Sequence, residues 1–543
     1  MLDSKQPDWW RGAVIYQIYP RSFFDSDNNG VGDLKGITSK LDYVADLGVD
    51  AIWISPFFKS PMQDFGYDVQ DFRDVDPLFG NLSDFRELLA KAHALGLRVL
   101  IDLVISHTSE QHDWFVQSRQ DRNNPKADWY VWADASATGN PPNNWLSLFG
   151  GSAWQWDVRR SQYYLHNFLV SQPDLNFHHP QVRNAVLDEA RFWLDLGVDG
   201  FRLDVVNFYF HDQGLRSNPP APSGIQTNTV ERSNPYSYQS HLFDKTQPEN
   251  LEFLESFRSL MNEYPGTAMV GELGVDVDVA LTSKQYTQDG KRLHMVYSFD
   301  LLGKDGSPAY LRRVIEAMEA DIGSGWVSWA LTNHDFERIV SRWGFESDRE
   351  RATPLLLALL CSLRGSPCIY QGDELGLTQA DVPFERMQDP YGKAFWPSFK
   401  GRDGCRTPIA WQHNADHGGF SHTDPWLPVA QEHQRVAVDV QASDDSSPLR
   451  RVQTFLRWRA QHRALSKGTM HVVDSPAGTL AIQREHQGQE ILAVFNLQRK
   501  ACHWALNAEG WQPVSGHGFD FQFGINGLQI EPLGAAFLAR QNP

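Results

Sequence analysis

Short apolar runs rich in β-branched residues alternate with longer segments of helical periodicity from residue 13 to about residue 465. Such a pair is typical of a βα unit, in which a buried strand is followed by an amphipathic helix. Eight candidate strands recur: Ala13 to Pro20, Val49 to Pro56, Arg98 to Ile105, Gly200 to Val206, Thr267 to Leu273, His294 to Asp300, Trp326 to Asp335 and Ser366 to Leu375. Because eight successive βα units close a parallel sheet on itself, the sequence predicts an α/β fold of the (β/α)8, or TIM-barrel, type.

Helix ends can be predicted in some of the intervening segments. In the segment Leu82 to Gly96, Ser83 can cap the start of a helix and the glycine can end it. The segment Val182 to Gly197 also ends at a glycine, and a last barrel helix is expected from Leu449 to Leu465. These helices would cover the outside of the barrel.

Two segments interrupt the alternation and a third follows it. Residues 104–177, after the third strand, are rich in Trp, Asn, Gly and Pro and predict an inserted subdomain. Residues 372–445 predict a loop-rich insertion after the eighth strand, and residues 466–543 alternate in the manner of a small antiparallel β domain. The barrel itself is then expected to consist of residues 1–103 and 178–465. Both insertions would rise on the face of the barrel that carries active sites.

Composition excludes several classes of partner. A formal net charge of −18 repels the phosphates of nucleic acids and of anionic membranes. No stretch approaches the ~18 consecutive apolar residues of a membrane span, and the first ten residues lack an apolar leader. The four cysteines show neither disulfide density nor CxxC spacing, so a reducing cytoplasm is expected. The oligomeric state stays open.

Charged side chains gather where the predicted strands end, and those ends converge in a barrel. The set comprises Asp102, His107, Arg202, Asp204, Glu272, His334 and Asp335. Three carboxylates around one point suit glycoside chemistry, which needs a nucleophile, a proton donor and negative charge near a cationic transition state. We assign these roles to Asp204, Glu272 and Asp335 respectively. Arg202 should keep the nucleophile ionised, and the two histidines should donate hydrogen bonds to sugar hydroxyls.

Five short strings resemble conserved regions of the α-amylase family of glycoside hydrolases. Four are Asp102 to His107 (DLVISH), Gly200 to Asp204 (GFRLD), Gly271 with Glu272, and Thr332 to Asp335 (TNHD), and the fifth is Gln172 to Asn176 (QPDLN). They occur in the family order and cover nearly the whole chain. The resemblance implies the three catalytic roles, the inserted subdomain and a C-terminal β domain. Two positions depart from the common pattern: Ser106 replaces the asparagine that usually precedes the histidine, and Val205 follows the nucleophile.

Within that family, two further strings resemble the α-glucosidase and oligo-1,6-glucosidase branch. Trp9 to Ser22 (WWRGAVIYQIYPRS) is similar to the start of its members, and Asp64 to Asp68 (DFGYD) resembles its clamp for a terminal glucose. The resemblance implies that Tyr67 stacks on the sugar while Asp64 and Arg402 bind its outer hydroxyls. Phe149 and Phe168 could form walls of the pocket. Such a clamp closes the pocket behind one glucose, so an exo-acting enzyme is expected.

The loop from Asp25 to Asp33 offers oxygen ligands at alternate positions. They are the side chains of Asp25, Asp27, Asn29 and Asp33, with the carbonyl of Val31 between them. This spacing suits a hard divalent cation, and Ca²⁺ and Mg²⁺ are both compatible. An Asx-rich turn is the alternative. Since the family that this chain resembles carries a similar loop, we expect a structural cation and no organic cofactor.

The expected function is therefore that of a retaining, exo-acting α-glucosidase on small α-glucosides, with glucosyl transfer to other acceptors. An oligo-1,6-glucosidase is an alternative, because Val205 after the nucleophile is similar to that subgroup. A sucrose isomerase or sucrose hydrolase would use the same chemistry. A carbohydrate-binding or transporter-partner chain without turnover is the non-enzyme alternative.

Overall fold

The computed structural model describes residues 7–222, 230, 233–275 and 278–541. Its centre is a sheet of eight parallel strands in the order 1-2-3-4-5-6-7 from one edge, with strand 8 beside strand 1. These barrel strands are Ile15–Ile18, Ala51–Ile54, Arg98–Leu103, Gly200–Leu203, Ala268–Glu272, Met295–Ser298, Val327–Trp329 and Cys368–Tyr370. A parallel bridge between Ala330 and Cys368 joins strand 7 to strand 8 and closes the barrel. The predicted (β/α)8 fold is confirmed.

One long helix follows each barrel strand. These barrel helices are Leu34–Leu47, Leu82–Ala94, Pro180–Leu196, Glu249–Asn262, Val279–Thr287, Pro308–Ile322, Arg349–Ser362 and Pro448–Ala460. The second begins one residue after its cap, Asn81, whose side chain accepts from the backbone N–H of Ser83 and Asp84. The predicted cap, Ser83, is thus wrong, because Asn81 and Asp84 form a reciprocal capping box. The last helix is shorter than predicted, and Arg463–Lys467 forms a separate short helix.

A glycine permits the close pairing that brings the fourth and fifth strands together. Gly200 has φ of 141°, and a Cβ atom there would lie 1.8 Å from the carbonyl oxygen of Ala268. Only glycine can occupy this position without displacing the neighbouring backbone. The same pairing sets Arg202 opposite Val270, two residues before Glu272. The register of these strands therefore begins to assemble the site.

The segment after the third strand forms a layer of its own. A three-stranded antiparallel sheet contains Trp132–Ala133, Gln162–Leu165 and Trp154–Asp157 in that order, and Asp113–Ser118 forms a short helix. A separate apolar cluster, which includes Trp145 and Trp154, stabilises this layer. An antiparallel bridge between His107 and Asp174 ties its end to the end of the third barrel strand.

The remaining elements lie at the rim and at the C-terminus. A two-stranded ribbon pairs Phe58–Lys59 with Asp71–Val75, and the segment after the eighth strand contains the short helices Pro390–Phe395, Gln431–Gln434 and Val438–Ala442. Ile339–Arg342 forms one turn before the seventh barrel helix.

The C-terminal region is antiparallel, as predicted. Its five-stranded sheet has the order Thr469–Val473, Thr479–His486, Gln489–Asn496, Gly534–Gln541 and Gln512–Pro513. A second sheet has the order Cys502–Trp504, Gly527–Ile530 and Phe521–Gly524. Among the helices of the described residues, none is both long and apolar enough to cross a bilayer.

Candidate active site

A cavity of about 990 Å³ opens at the carboxyl ends of the barrel strands. Nine of the predicted site residues line it: Asp64, Tyr67, His107, Phe149, Phe168, Asp204, Glu272, Asp335 and Arg402. Arg202 and His334, also predicted to contact substrate, are fully buried against the other side of this lining. Residues that are far apart in the chain therefore meet around one space.

Arg202 is the cation at the floor of the cavity. Its Nη1 forms ion pairs with Asp204 and, at 3.0 Å, with Asp102 Oδ1. Its Nη2 lies 2.5 Å from Glu272 Oε1. One guanidinium thus holds the predicted nucleophile and the predicted proton donor on its two amino groups.

Burial raises the pKa values of Asp204 and Glu272 above their ordinary range. It raises the pKa of Glu272 to about 8, although Arg202 opposes the shift. It also raises the pKa of Asp204 to about 7, again against Arg202. Arg202 thus lowers the pKa of Asp204 as expected, but burial outweighs it. Burial therefore favours a protonated form in this pair, and Arg202 favours an ionised one.

The backbone at Val205 touches the same carboxyl group. Val205 has φ of 36°, a left-handed conformation that is unusual for a β-branched residue. Its N–H donates to Glu272 Oε2 at 3.1 Å. The turn after the fourth strand therefore holds Glu272 from one side while Arg202 holds it from the other.

Asp335 lies in a different electrostatic environment. Its Oδ1 is 2.7 Å from Arg406 Nη2 and 3.2 Å from Arg402 Nη1. Burial alone would raise the pKa of Asp335, but His334 and the two arginines hold it well below its ordinary value. Asp335 is therefore a permanent negative charge beside the cavity.

His334 acts as a neutral hydrogen-bonding group because burial lowers its pKa to about 3. Its Nδ1 lies 2.8 Å from Gln17 Nε2, which fits acceptance of a hydrogen bond from that amide. Its Nε2 then carries the hydrogen, 3.1 Å from Asp335 Oδ2 and 2.5 Å from Tyr67 Oη. The rings of Tyr67 and His334 are parallel within 1°, and Tyr67 Oη donates to Asp102 Oδ2 at 3.2 Å.

His107 is held by its own protein neighbours on both ring nitrogens. Its Nε2 lies 3.0 Å from the carbonyl oxygen of Tyr67, and its Nδ1 lies 2.9 Å from Ser106 Oγ. The serine that replaces the usual asparagine thus supports the histidine directly. Burial lowers the pKa of His107 to about 4, so the ring is neutral.

A second ionic cluster, around Arg402, lines the cavity beside Asp335. Arg402 Nη2 lies 2.8 Å from Asp64 Oδ1, and Gln172 Nε2 donates to Asp64 Oδ2 at 3.2 Å. The face of Phe149 lies 5.0 Å from the Arg402 guanidinium, and Phe149 meets Phe168 edge to face at 5.6 Å. Both phenylalanines were predicted walls, and both line the cavity.

Sequence reasoning missed several residues that hold the site together. Gln17 lies inside the string Trp9 to Ser22 but was assigned no role there, and Arg406 lies four residues after the predicted Arg402. Asp102 was placed at a strand end without a partner, and Asp389 had no sequence signal at all. Each of them contacts a predicted site residue that is not its neighbour in the sequence.

The predicted cation loop brings three carboxylates together. Oxygen atoms of Asp25, Asp27 and Asp33 lie within 4.8 Å of one another. The exposed side chain of Asn29 hydrogen-bonds within the loop, since Nδ2 donates to Asp27 Oδ2 at 3.2 Å and Oδ1 accepts from the N–H of Val31 at 2.8 Å. All-oxygen donors of this kind suit Ca²⁺ or Mg²⁺. None of the five residues lines the cavity.

Comparison with known proteins agrees with this geometry. The family described as alpha amylase, catalytic domain, matches residues 17–468. The chain belongs to the α-amylase family. It is accordingly a glycoside hydrolase by descent, with the barrel as its catalytic domain.

Several proteins are similar to this chain over nearly its whole length. A probable alpha-glucosidase of Rhizobium meliloti (strain 1021) is 52% identical over 536 residues, which cover 98% of this chain and 97% of the relative. An oligo-1,6-glucosidase of Heyndrickxia coagulans is 34% identical, over 94% of this chain and 96% of the relative. The crystal structure of an alpha-glucosyl transfer enzyme superposes with a TM-score of 0.96 at 55% identity, and covers 99% of this chain and 100% of that chain.

The raised pKa of Glu272 predicts a pH-dependent stability. Because its pKa of about 8 in the fold exceeds the ordinary 4.5, protonated Glu272 favours the folded state. This stabilisation is fully present below pH 4.5 and is lost progressively as pH rises from 4.5 to about 8. Glu272→Gln cannot lose a proton. We expect it to melt a few degrees above the wild type at pH 8.5, with a smaller difference at pH 5.

Differential scanning fluorimetry at both pH values measures this difference. Glu385→Gln, at an exposed rim position, is the control and should show no such change. A melting difference for Glu272→Gln that is equal at both pH values would contradict the assignment.

Proposed function

We propose that this α-amylase family member is a retaining, exo-acting α-glucosidase that releases terminal α-glucose from small α-glucosides. The observation that carries the proposal is the shared guanidinium of Arg202, which holds the carboxyl groups of Asp204 and Glu272 side by side at the floor of one cavity. Double displacement requires an ionised nucleophile beside a protonated acid, and two carboxyl groups that share one cation can hold one proton between them.

The reaction follows from these two groups. Asp204 attacks the anomeric carbon as the glycosidic bond breaks, and Glu272 gives its proton to the departing oxygen. This yields a covalent glucosyl ester of Asp204 with inverted configuration. Glu272, now ionised, removes a proton from water, whose oxygen attacks the same carbon and releases Asp204. Two inversions leave α-glucose. Asp335 stays ionised throughout and lies where it can bind hydroxyls of the flattening ring.

The cluster around Arg402 supports exo action. Arg402, Asp64 and Tyr67 form a buried wall of the cavity, in which Arg402 and Asp64 form an ion pair. A glucose bound against this wall has no room for a further sugar beyond its outer hydroxyls. Only the non-reducing end of a substrate can then reach Asp204.

Glucosyl transfer is part of the proposal, since any hydroxyl compound that replaces water at the second step becomes glucosylated. The close structural match to an alpha-glucosyl transfer enzyme supports this possibility. The relative named oligo-1,6-glucosidase keeps α-1,6 linkages among the candidate substrates. Comparing kcat/KM for maltose, isomaltose and sucrose separates these linkages, and a dominant isomerised product from sucrose would favour a sucrose isomerase instead.

Double displacement predicts the anomer of the first product. Proton NMR within the first minutes of hydrolysis, before mutarotation, should show α-glucose. Mainly β-glucose at that time would mean a single displacement and would exclude Asp204 as a covalent nucleophile. Release of no glucose from any α-glucoside would favour a binding protein without turnover.

Replacing the nucleophile should abolish turnover while the fold persists. Asp204→Asn is nearly isosteric, and Arg202 keeps its contacts with Asp102 and Glu272. We expect kcat to fall by about 10⁴-fold or more, with a melting temperature no lower than that of the wild type. The matched control is Asp188→Asn, on the exposed face of a barrel helix, which should retain full activity. Ordinary activity in Asp204→Asn would exclude the assignment.

We also propose that the loop from Asp25 to Asp33 binds a structural Ca²⁺ or Mg²⁺ ion. Mutual repulsion of its three carboxylates would be relieved by a divalent cation. Either ion should raise the melting temperature of chelator-treated protein by a few degrees, and Asp27→Asn should remove this increment. Asp46→Asn, on an exposed helix face, should keep it. An equal response in both variants would argue against the site.

A cytoplasmic location completes the proposal. All four cysteines are buried free thiols, which fits a reducing compartment.

A further inference from the structure

Two segments after the eighth strand, residues 389–392 and 401–402, pack backbone to backbone next to Arg402. A Cβ atom on Gly392 would lie 2.6 Å from the Cα atom of Gly401, and one on Gly401 would lie 2.8 Å from Asp389 Oδ2. Glycine at both positions lets the segment 389–392 pack directly against 401–402. This contact, which we call the brace, places Asp389 beside Arg402.

Asp389 accepts hydrogen bonds from one edge of Arg402. Its carboxylate accepts from the backbone N–H of Arg402 at 2.8 Å, from Nε at 3.2 Å and from Nη2 at 2.8 Å. Asp389 is fully buried and is absent from the cavity lining. It therefore reaches a bound sugar only through Arg402.

The same carboxylate also positions an aromatic layer. Asp389 Oδ1 accepts from the N–H of Tyr391 at 3.2 Å and so caps the helix Pro390–Phe395. The Tyr391 ring stacks on Phe149 at 4.9 Å with 19° between the planes, and Phe149 covers the face of the Arg402 guanidinium. Phe149 comes from the insertion after the third strand, so the brace joins the two insertions.

These contacts fix the two directions in which Arg402 acts on the site. With one edge held by Asp389 and one face covered by Phe149, Nη2 points to Asp64 and Nη1 to Asp335. Rotation of the guanidinium would lengthen both contacts. Asp335 would retain Arg406, whereas Asp64 would lose its arginine.

We propose that Asp389 is a positioning residue that sets the affinity of the site for a terminal glucose by orienting Arg402. This inference rests on the proposed function, because it takes Asp64 and Arg402 as the clamp of that sugar. Asp389→Asn keeps the size of the side chain and removes the charge that pairs with the guanidinium.

A double-mutant cycle tests the proposal. We expect Asp389→Asn to lower kcat/KM for p-nitrophenyl α-glucoside by about 10²-fold and to weaken glucose binding in calorimetry. In the Arg402→Ala background the same substitution should change kcat/KM by less than about threefold, because the group that it orients is gone. Effects that multiply fully in the double variant would overturn the proposal.

The matched control is Asp403→Asn. Asp403 is a buried acid in the same loop, and its Oδ2 accepts from the backbone N–H of Gln388 and Asp389 rather than from Arg402. A role limited to stability predicts that both variants melt earlier and bind glucose equally well. The proposal requires that only Asp389→Asn loses glucose affinity.

A second variant covers the case in which Asp389→Asn does not fold. Phe149→Ala removes the ring that covers the guanidinium face and should weaken glucose binding. In the Arg402→Ala background the same substitution should have no effect on glucose binding. Additive effects would again overturn the proposal.

The wild type serves as the separate test of function. If it releases no glucose, the proposed function fails, whereas an active wild type with a fully additive cycle rejects the role of Asp389 alone.

Discussion

Arg202 is the charge around which the catalytic floor is built. A guanidinium with no exposed surface is costly to bury unless carboxylates surround it, and Asp102, Asp204 and Glu272 supply that environment. The dependence is mutual, because without the arginine three acidic groups would face each other in a poorly solvated space. Convergence of the third, fourth and fifth strands is what brings these four side chains together.

The ratio of cations to carboxylates explains why the pKa values of the acidic groups differ. Arg202 is shared among three carboxylates, so burial prevails and the pKa of Glu272 rises to about 8. Asp335 instead has two arginines within 3.2 Å and stays ionised. A site of this kind can offer a proton at one position and permanent negative charge at another, at the same pH. That difference comes from how the arginines are distributed.

The barrel supplies the floor, and the insertions supply the walls. Phe149 belongs to the layer after the third strand, and Arg402 to the segment after the eighth. Neither segment has an extensive regular structure, yet the half-buried ring of Phe149 covers the guanidinium of the buried Arg402 in the lining of the cavity. A barrel without them would leave the floor open to a chain passing across it. Substrate length is therefore set by loops, which is where barrel enzymes commonly vary.

The sequence by itself determined the barrel, the C-terminal sheet and the position of each proposed catalytic carboxylate at the end of a strand or in the loop after it. These depend on local periodicity and on short strings, which the order of residues states directly. It could not show that Asp389 orients Arg402, that Gln17 contacts His334, or that burial outweighs Arg202 at Asp204. Those properties are set by tertiary structure, because hydrogen-bond partners and the loss of solvent depend on which distant segments meet, and periodicity carries no record of that.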